Sequence, residues 1–428
     1  MRIAWLCLAA AALVVIPAGL GGVRHAAVEP LPLSTCSPIV YGGSGSPSLL
    51  IASDLPIAAF QFRSTTLRMQ KAIEYVLARH RYRAGRYAVA YQPCDDSTAE
   101  SDPGDLTKCA ANAKTYAADP SVVGVLGTWN SPCTGVELPI LNRAEGGPLA
   151  LVSPSNTKVG LTHAGIATDR GEPGRYYPSG KRSFARVIAA DDEQGAADAF
   201  LASQLGLRRV FVLDDRESYG LTVVGPFVSA AKTLHVKVVG RASWAEEQKS
   251  FKTLARRVGA AQPDGVFLGG FACVACGALI EQLRAALGPG PVLIAPDGWA
   301  PASNLAKLAG TASQGMYVTV PGLPASRLGS LGRGIAARYG TGHLGSGGPA
   351  YAAQAAEALL AAIARSAGTR ASVSEQLYKV RMQPGILGSF RFDRNGDSTL
   401  APVTVFRVQG AHGRVDRVVT PPHRLARG

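Results

Sequence analysis

Two loops in the first half of the chain are dense in small hydroxyl and amide side chains. They are residues 127–132 (GTWNSP) and 153–157 (SPSNT), and each follows a short apolar run that predicts a buried strand. Both loops lead towards predicted helices, and Pro132 suits the first position of a helix. Hydroxyls and backbone N–H groups in such loops can hold a carboxylate without an arginine. The alternative is that these side chains only cap helices.

Three loops in the second half follow predicted strands in the same way, but they carry acids and aromatics. They are residues 214–220 (DDRESYG), 270–272 (GFA) and 296–299 (PDGW). A carboxylate there can hold the ammonium group of a ligand, and an aromatic ring can wall off its aliphatic part. For Asp297 the alternative is a turn or cap residue.

Cysteine usage indicates an oxidising compartment. The chain has seven cysteines, and Cys7 lies in the apolar N-terminal run. The disulfide candidates are Cys36, Cys94, Cys109, Cys133, Cys273 and Cys276. The C-x-x-C motif at residues 273–276 follows a predicted strand and opens a helix, which is also the setting of a redox-active pair. A thiol-disulfide oxidoreductase is therefore one alternative, and a structural disulfide or a pair of buried thiols is the other.

Other catalytic and metal-binding patterns are missing from the sequence. It contains no H-E-x-x-H, G-x-S-x-G or G-x-x-x-x-G-K-[ST] motif, and the seven histidines are dispersed. The segment 390–397 (FRFDRNGD) faintly resembles a calcium loop, but its glycine is misplaced and Asn-Gly favours a tight hairpin. We therefore expect no enzyme activity, no metal site and no cofactor.

The elements that must position these loops alternate regularly. Short apolar runs without polar alternation, each followed by an amphipathic run, extend from residue 49 to 153 and restart at 184. This pattern predicts parallel sheets covered by helices on both faces, in two doubly wound α/β lobes. Ligands of such sheets bind beyond the carboxyl ends of the strands, where the five loops lie. The predicted helices at 332–339 and 351–364 break the alternation and are expected to return to the first lobe.

Length and composition agree with two globular units. The chain has 428 residues, 47% of them hydrophobic and 17% charged, which argues against global disorder. The net charge of +14 raises the question of nucleic acid, but the basic residues are scattered. The densest basic stretch is a predicted tail at 411–428. We expect a solvated basic surface and no nucleic-acid partner.

The N-terminus predicts export. Arg2 precedes an apolar run, residues 3–16, that ends at Pro17 and is too short to span a bilayer comfortably. Residues 1–28 are therefore interpreted as a signal peptide, and 29–47 as a linker rich in Pro, Gly and Ser. An uncleaved anchor and lipid attachment at Cys36 remain alternatives. The expected location is periplasmic or associated with the cell surface.

Eight short segments, in order, resemble one known family. They are YQPCDD (91–96), VGVLGTWNS (123–131), LVSPSNTKVGLT (151–162), DDRESYG (214–220), PDGVFLGG (263–270), DG (297–298), GMYV (315–318) and GSFRFDRNGD (388–397). Their order and spacing over residues 48–410 resemble the periplasmic branched-chain amino-acid-binding proteins of ABC importers, which have the type I solute-binding fold. The resemblance implies a monomer that closes on a small ligand, an amino acid or amide, and then docks on a membrane permease. A sensor that closes in the same way but signals to a receptor is the alternative.

The resemblance also implies site residues. The positions matching the ligand's carboxylate and ammonium site are Ser131, Ser155 and Thr157, with Trp129 and Asn130 in the same loop. The positions of the second lobe that would close over the ligand are Tyr219, Phe271 and Asp297. The family disulfide would match Cys94 with Cys133.

Domain boundaries follow from the same resemblance. Three crossovers are expected near Ile188, Val320 and Leu387. The first lobe would comprise 48–188 and 321–387, and the second 189–320 and 388–410. Two departures from the family pattern stand out: inserted stretches at 97–106 and 165–182, of which the first, with Cys109, can rearrange the disulfide. Trp129 is also bulkier than the usual residue, and Phe271 lacks a tyrosine hydroxyl.

Overall fold

Strands and helices alternate along the chain in two successive runs. The computed structural model describes residues 27–101, 104–245, 247–342 and 348–426. The first run is β1 (Leu49–Leu55), α1 (Phe60–Arg79), β2 (Arg83–Ala84), β3 (Tyr87–Asp95), α2 (Leu106–Ala118), β4 (Val122–Gly127), α3 (Ser131–Leu141), β5 (Ala150–Ser153) and β6 (Phe184–Arg186). The second is α4 (Asp191–Gln204), β7 (Arg209–Asp214), α5 (Ser218–Thr233), β8 (Lys237–Ser243), α6 (Lys252–Ala260), β9 (Gly265–Gly269), α7 (Cys276–Leu287), β10 (Val292–Ala295), α8 (Ala302–Ala309) and β11 (Tyr317–Pro321). The remainder is α9 (Ser330–Tyr339), α10 (Gly348–Arg365), α11 (Arg370–Leu377), β12 (Arg381–Met382), β13 (Phe390–Arg391), β14 (Val403–Gln409), β15 (His412–Val419) and α12 (His423–Ala426).

The first sheet lies between two helical layers. In the described part of the chain its strand order is β2-β3-β1-β4-β5-β6, with every pairing parallel except that of β2 with β3. Alternate residues of the fully buried β1 enter different cores: Leu49 and Ile51 pack with α1 and α10, whereas Leu50 and Ala52 pack with α2 and α3. Burial on both faces explains why this strand shows no polar alternation.

The second sheet has the same construction with an antiparallel edge. The described strands follow the order β15-β14-β11-β10-β9-β7-β8, and only the pairings of β14 are antiparallel. Phe211 and Leu213 pack against α6, α7 and α8, while Val210 and Val212 pack against α4 and α5. The predicted fold class, two doubly wound α/β lobes, is confirmed.

The chain passes between the lobes three times, and the third passage differs in place from the prediction. It crosses between β6 and α4, and again after β11, from which it reaches the helices α9 to α11 on the first lobe. The third crossover was expected near Leu387. However, Phe390 and Phe392 still pack in the first lobe's core, and the chain joins the second sheet only at β14. Two buried aromatic rings hold this stretch to the first lobe.

Two predicted peripheral segments are packed parts of the fold. In the expected linker, Leu31 and Cys36 are buried, the Gln92 amide bonds to both backbone groups of Leu31, and Val40 pairs with Tyr91. The expected basic tail instead forms β15 and α12. Both segments form backbone hydrogen bonds or cover apolar surface of a sheet, and without them these groups would face water. Residues 1–26 of the expected signal peptide lie outside the described residues, and no described helix has the length and hydropathy of a membrane span.

The six cysteines form three disulfides: Cys36–Cys94, Cys109–Cys133 and Cys273–Cys276. The pairing of Cys94 with Cys133 that the family resemblance implied is therefore wrong. The N-terminal segment runs along β3 and brings Cys36 to Cys94. Helices α2 and α3 pack together, so Cys133 in the first turn of α3 meets Cys109 on α2.

A network of buried ion pairs joins the first and third crossovers. The Arg186 side chain is fully buried, and its Nε donates to Asp397 at 2.7 Å. His163 lies between Asp397, at 3.0 Å, and Asp192 at the start of α4, at 2.9 Å. Burial opposes the charge on His163, but the hydrogen bonds to the two carboxylates outweigh burial and raise its pKa to about 9. The imidazolium therefore holds the first lobe to the second at neutral pH.

This ion-pair network predicts that the free energy of unfolding depends on pH. Because the folded pKa of His163 exceeds its ordinary value of 6.5, its contribution is complete below that value and is lost as the pH rises through about 9. We expect His163→Gln to lower the free energy of unfolding by about 3 kcal/mol at pH 6, as when one partner of a buried ion pair is removed. At a pH of about 10 the penalty should shrink, because the wild-type ring is then neutral. Urea unfolding at both pH values tests this, and an equal penalty at both would contradict it.

A second buried cluster, in the first lobe, consists of acids. Asp54, Asp96 and Glu137 are each fully buried, and Cys133 Sγ of the Cys109–Cys133 disulfide lies 3.7 Å from the Asp96 carboxylate and 3.9 Å from that of Glu137. Burial raises the pKa of Asp54 to about 6, and it raises the pKa values of Asp96 and Glu137 well above their ordinary range, helped by the charge of Asp54. Asp96 and Glu137 therefore keep their protons to a higher pH than exposed carboxyls do, and their ionisation opposes folding.

Replacing one of these acids should protect the fold in alkali. A raised carboxyl pKa contributes stability that is present at low pH and lost as the pH rises through the folded value. We expect Glu137→Gln to lose less unfolding free energy than the wild type as the pH rises above 4.5, the ordinary glutamate value, over a series from about pH 5 to about pH 9. Thermal melts across this range measure the effect. The exposed Glu375→Gln on α11 is the matched control, and identical pH profiles for Glu137→Gln and the wild type would contradict the prediction.

Candidate ligand-binding site

The loop after β4 turns sharply and starts α3 at the carboxyl edge of the first sheet. Gly127 has φ +150°, and a Cβ there would lie 2.4 Å from the Asp54 carbonyl oxygen, so the position requires glycine. Thr128 Oγ1 donates to the carbonyl of Asn130 at 2.6 Å. The Asn130 side chain accepts from Cys133 N at 2.8 Å and caps the helix. Asn130, a predicted ligand-binding residue, is therefore engaged as an N-cap.

The two first-lobe loops are fastened to each other. Ser155 Oγ donates to the Trp129 carbonyl at 2.8 Å, and the Asn156 amide donates to the same oxygen at 3.2 Å. Ser131 Oγ accepts from Lys158 N at 3.2 Å. The structure thus brings Trp129, Ser131 and Ser155 together, as expected from the strand ends.

In the second lobe, Tyr219, Phe271 and Asp297 form one group. The Tyr219 hydroxyl donates to the Asp297 carboxylate and accepts from Gly298 N at 3.3 Å. The rings of Tyr219 and Phe271 lie 4.5 Å apart between centroids. Phe271 N donates to Asp215 at 2.7 Å, which holds the loop after β9. Residues from the ends of β7, β9 and β10 therefore converge at the carboxyl edge of this sheet.

Asp191, at the start of α4, connects the two groups. Its N–H donates to the Thr157 carbonyl at 2.9 Å, and its carboxylate accepts from the Thr222 hydroxyl on α5 at 3.1 Å. The charge of Asp297 contributes to its pKa. Sequence reasoning missed Asp191, although an acid in the first turn of the helix after a crossover was a usable signal. The strand ends of the two sheets meet here.

The centre of this site is acidic, with Asp191 buried and Asp297 half-buried. Burial raises the pKa of Asp191 to about 7, with the charge of Asp297 adding to the effect of burial and the Thr157 and Thr222 hydroxyls opposing it. Burial also raises the pKa of Asp297, although the Tyr219 hydroxyl donates a hydrogen bond to it. The donors of Arg186 go to Asp397, Thr162 and backbone carbonyls instead. A cationic group on a ligand would therefore supply the charge that these carboxyls lack.

Aromatic residues that sequence reasoning did not single out lie beside the first-lobe loops. Phe62 packs on Trp129 with 5.6 Å between ring centroids. Phe60, at the first position of α1, is 88% exposed. Their signal in the sequence was the aromatic pair at the start of a helix that follows a strand end.

The C-x-x-C motif borders the site but forms a disulfide. Ala272 N donates to Gly298 O at 3.0 Å, which joins the loop of Phe271 to that of Asp297 just before the Cys273–Cys276 bridge. Among the described residues, Asp96, Cys109 and Cys133 place potential metal-ligand atoms within 4.8 Å of one another. The two sulfurs are bonded to each other, so they are not available as thiolate ligands.

Comparisons with known proteins agree on the fold. A family model described as "Periplasmic binding protein" matches residues 89–413. The solved leucine-binding protein LivK of Thermotoga maritima is 22% identical, with a TM-score of 0.66 and coverage of 87% of this chain and 99% of its own. LivJ of Streptococcus pneumoniae with isoleucine is 15% identical, with a TM-score of 0.64 and coverage of 86% and 98%. A solute-binding protein of R. palustris with 4-hydroxybenzoate is 15% identical, with a TM-score of 0.66 and coverage of 87% and 98%.

At these identities the solved structures establish the fold alone, and a search of curated proteins found no match. The family model, by contrast, covers well over half of the chain. Its matched residues include every first-lobe and second-lobe loop described above. The chain belongs to the periplasmic binding protein family.

Proposed function

We propose that this protein is an extracytoplasmic solute-binding protein of an ABC importer, and that it captures a small amino-acid-like molecule by closure of its two lobes. The observation that carries the proposal is the meeting of both groups of strand-end residues at Asp191. Membership in the periplasmic binding protein family supports it. So do the leucine- and isoleucine-binding proteins among the structural neighbours.

Each lobe supplies a different part of the binding site in this proposal. The ligand's carboxylate lies at the N-terminus of α3, where the helix dipole and the Ser131 hydroxyl favour an anion. Its ammonium group lies against Asp297 and Asp191. Among the described residues neither carboxyl forms a salt bridge, and burial raises the pKa of both, so the ammonium group stabilises their ionised form. The ligand gains both sets of contacts only when the lobes approach, which shifts the population to the closed state.

The closed protein then docks on a membrane permease, which takes up the ligand without a covalent step. The protein acts as a monomer in this scheme, exported to the periplasm or the cell surface.

Removing either half of the polar site should weaken binding. We expect Asp297→Asn and Ser131→Ala each to raise the Kd of a bound amino acid, by roughly tenfold or more for Asp297→Asn, because a hydrogen bond to a charged group is worth about 1.5–3 kcal/mol. A thermal-shift screen with L-amino acids identifies a ligand, and isothermal titration calorimetry measures the Kd. The exposed Glu375→Gln should bind as the wild type does. Unchanged affinity in both site variants would rule out this placement of the ligand.

A large side chain between segment 165–182 and α5 should block closure of the two lobes. Ile166 lies on Gly225 of α5, where an added Cβ would be 2.6 Å from Ile166 Cγ2. Because this contact joins the two lobes, we expect Gly225→Trp to hold them apart and to abolish the decrease in radius of gyration that the ligand causes in the wild type. Small-angle X-ray scattering with and without ligand measures this.

The control is Gly334→Trp on α9, where an added Cβ meets nothing within 4 Å. This variant should close normally. If Gly225→Trp compacted on ligand addition as fully as Gly334→Trp, closure across this contact would be excluded.

A further inference from the structure

Aromatic side chains border the polar centre of the site in both lobes. In the first lobe, Trp129 is packed on Phe62, and Phe60 stands 88% exposed at the start of α1. In the second lobe, Phe271 is 53% exposed although it lies against Tyr219. Large aromatic surface left open beside a binding site indicates a partner of matching shape.

The backbone on the second-lobe side holds Phe271 in place while leaving its ring open. Gly270 has φ +136°, and a Cβ there would lie 2.2 Å from the Asp215 carboxylate. The same carboxylate accepts from Phe271 N at 2.7 Å. The Phe271 ring therefore packs on Tyr219 on one side, and its exposed part can contact a ligand.

A continuous set of contacts joins the two aromatic groups through the acids. The Trp129 carbonyl is bonded to Ser155, and Thr157 two residues later is bonded to Asp191. The Thr222 hydroxyl lies 3.1 Å from the Asp191 carboxylate and 2.7 Å from the Tyr219 carbonyl oxygen. The Tyr219 side chain in turn bonds to Asp297 and packs on Phe271. A molecule whose ammonium group meets these acids therefore has aromatic surface beside it on either lobe.

We propose that the preferred ligand is an aromatic amine of the amino-acid type, with its ring held between Trp129 and Phe271 and its ammonium group on Asp191 and Asp297. This inference rests on the proposed function and specifies the ligand of the same site. Aromatic rings attract one another in tilted and edge-on arrangements, a contribution that an aliphatic side chain does not make. Trp129 and Phe271 also attract a nearby ammonium group through their ring faces. The uncompensated acids favour a cation over a plain aromatic acid.

Three ligands separate the parts of this proposal. L-Phenylalanine carries ring, ammonium and carboxylate; L-leucine lacks the ring; and 3-phenylpropionate lacks the ammonium group. By isothermal titration calorimetry on the full exported protein, we expect phenylalanine to bind at least about tenfold more tightly than either of the others, since two aromatic contacts and one charge contact are each worth a few-fold or more.

Variants at Phe271 and Trp129 test where the aromatic ring of the ligand binds. Phe271→Leu and Trp129→Leu should each weaken phenylalanine binding several-fold and leave leucine binding nearly unchanged. Val274→Ala, a change at a 93% exposed position on the same loop, is the control and should alter neither. Melting of the unliganded variants checks that they fold, and the comparison of the three ligands on the wild type does not depend on them.

The outcomes distinguish this inference from the function on which it rests. Leucine binding as tightly as phenylalanine, with no effect of Phe271→Leu, would overturn the aromatic assignment and leave the proposed function standing. Equal binding of 3-phenylpropionate and phenylalanine would overturn the role of the ammonium group. Binding of none of the three ligands, nor of any other amino acid, would overturn the proposed function itself.

Discussion

The pairing of Arg186 with Asp397 is the interaction on which the arrangement of the two lobes depends. Arg186 ends the last strand of the first sheet, and Asp397 lies shortly before the chain enters the second sheet. Because Arg186 is fully buried, its charge has to be matched where it lies. His163 extends the pair to Asp192 at the first crossover. The two sheets are thereby held with their carboxyl edges towards each other, which is the geometry that a site between strand ends requires.

The electrostatics of the molecule differ between the hinge and the binding region. At the hinge, carboxylates have cationic partners, so the pKa of Asp397 is held well below its usual range by Arg186 and His163 despite burial. At Asp191 burial outweighs the opposing charge of Arg186, and at Asp297 burial outweighs the hydrogen bond from Tyr219, so both pKa values rise. These ion pairs therefore stabilise the charged forms of the side chains at the hinge, where the two lobes are joined. Under the proposed function, the ammonium group of the ligand would stabilise the ionised form of Asp191 and Asp297.

Two segments outside the regular strand–helix alternation pack on the first lobe. The N-terminal segment covers β3 and is joined to it by Cys36–Cys94, so the first lobe begins well before β1. The inserted segment between β5 and β6 is anchored by Glu172, whose carboxylate bonds to Arg175, Tyr176 and Lys158. From that anchor Ile166 reaches α5 of the second lobe. The first of these segments therefore contacts the first lobe, and the second also contacts α5 across the lobe boundary.

The sequence by itself determined the local elements and the edges at which the site forms. The apolar run predicted as a strand from Leu49 to Ala52 extends to Leu55, and the predicted helix at 351–364 spans Gly348–Arg365. Periodicity reports burial and local conformation, so it predicted two α/β lobes and the loops that hold Ser131, Tyr219 and Asp297. Only the tertiary structure decided the cysteine pairing, the packing of the N-terminal segment and of β15, and the position of Asp191 between the two lobes. These depend on which distant faces the crossovers bring together, and residues far apart in the chain carry no local pattern that records such a contact.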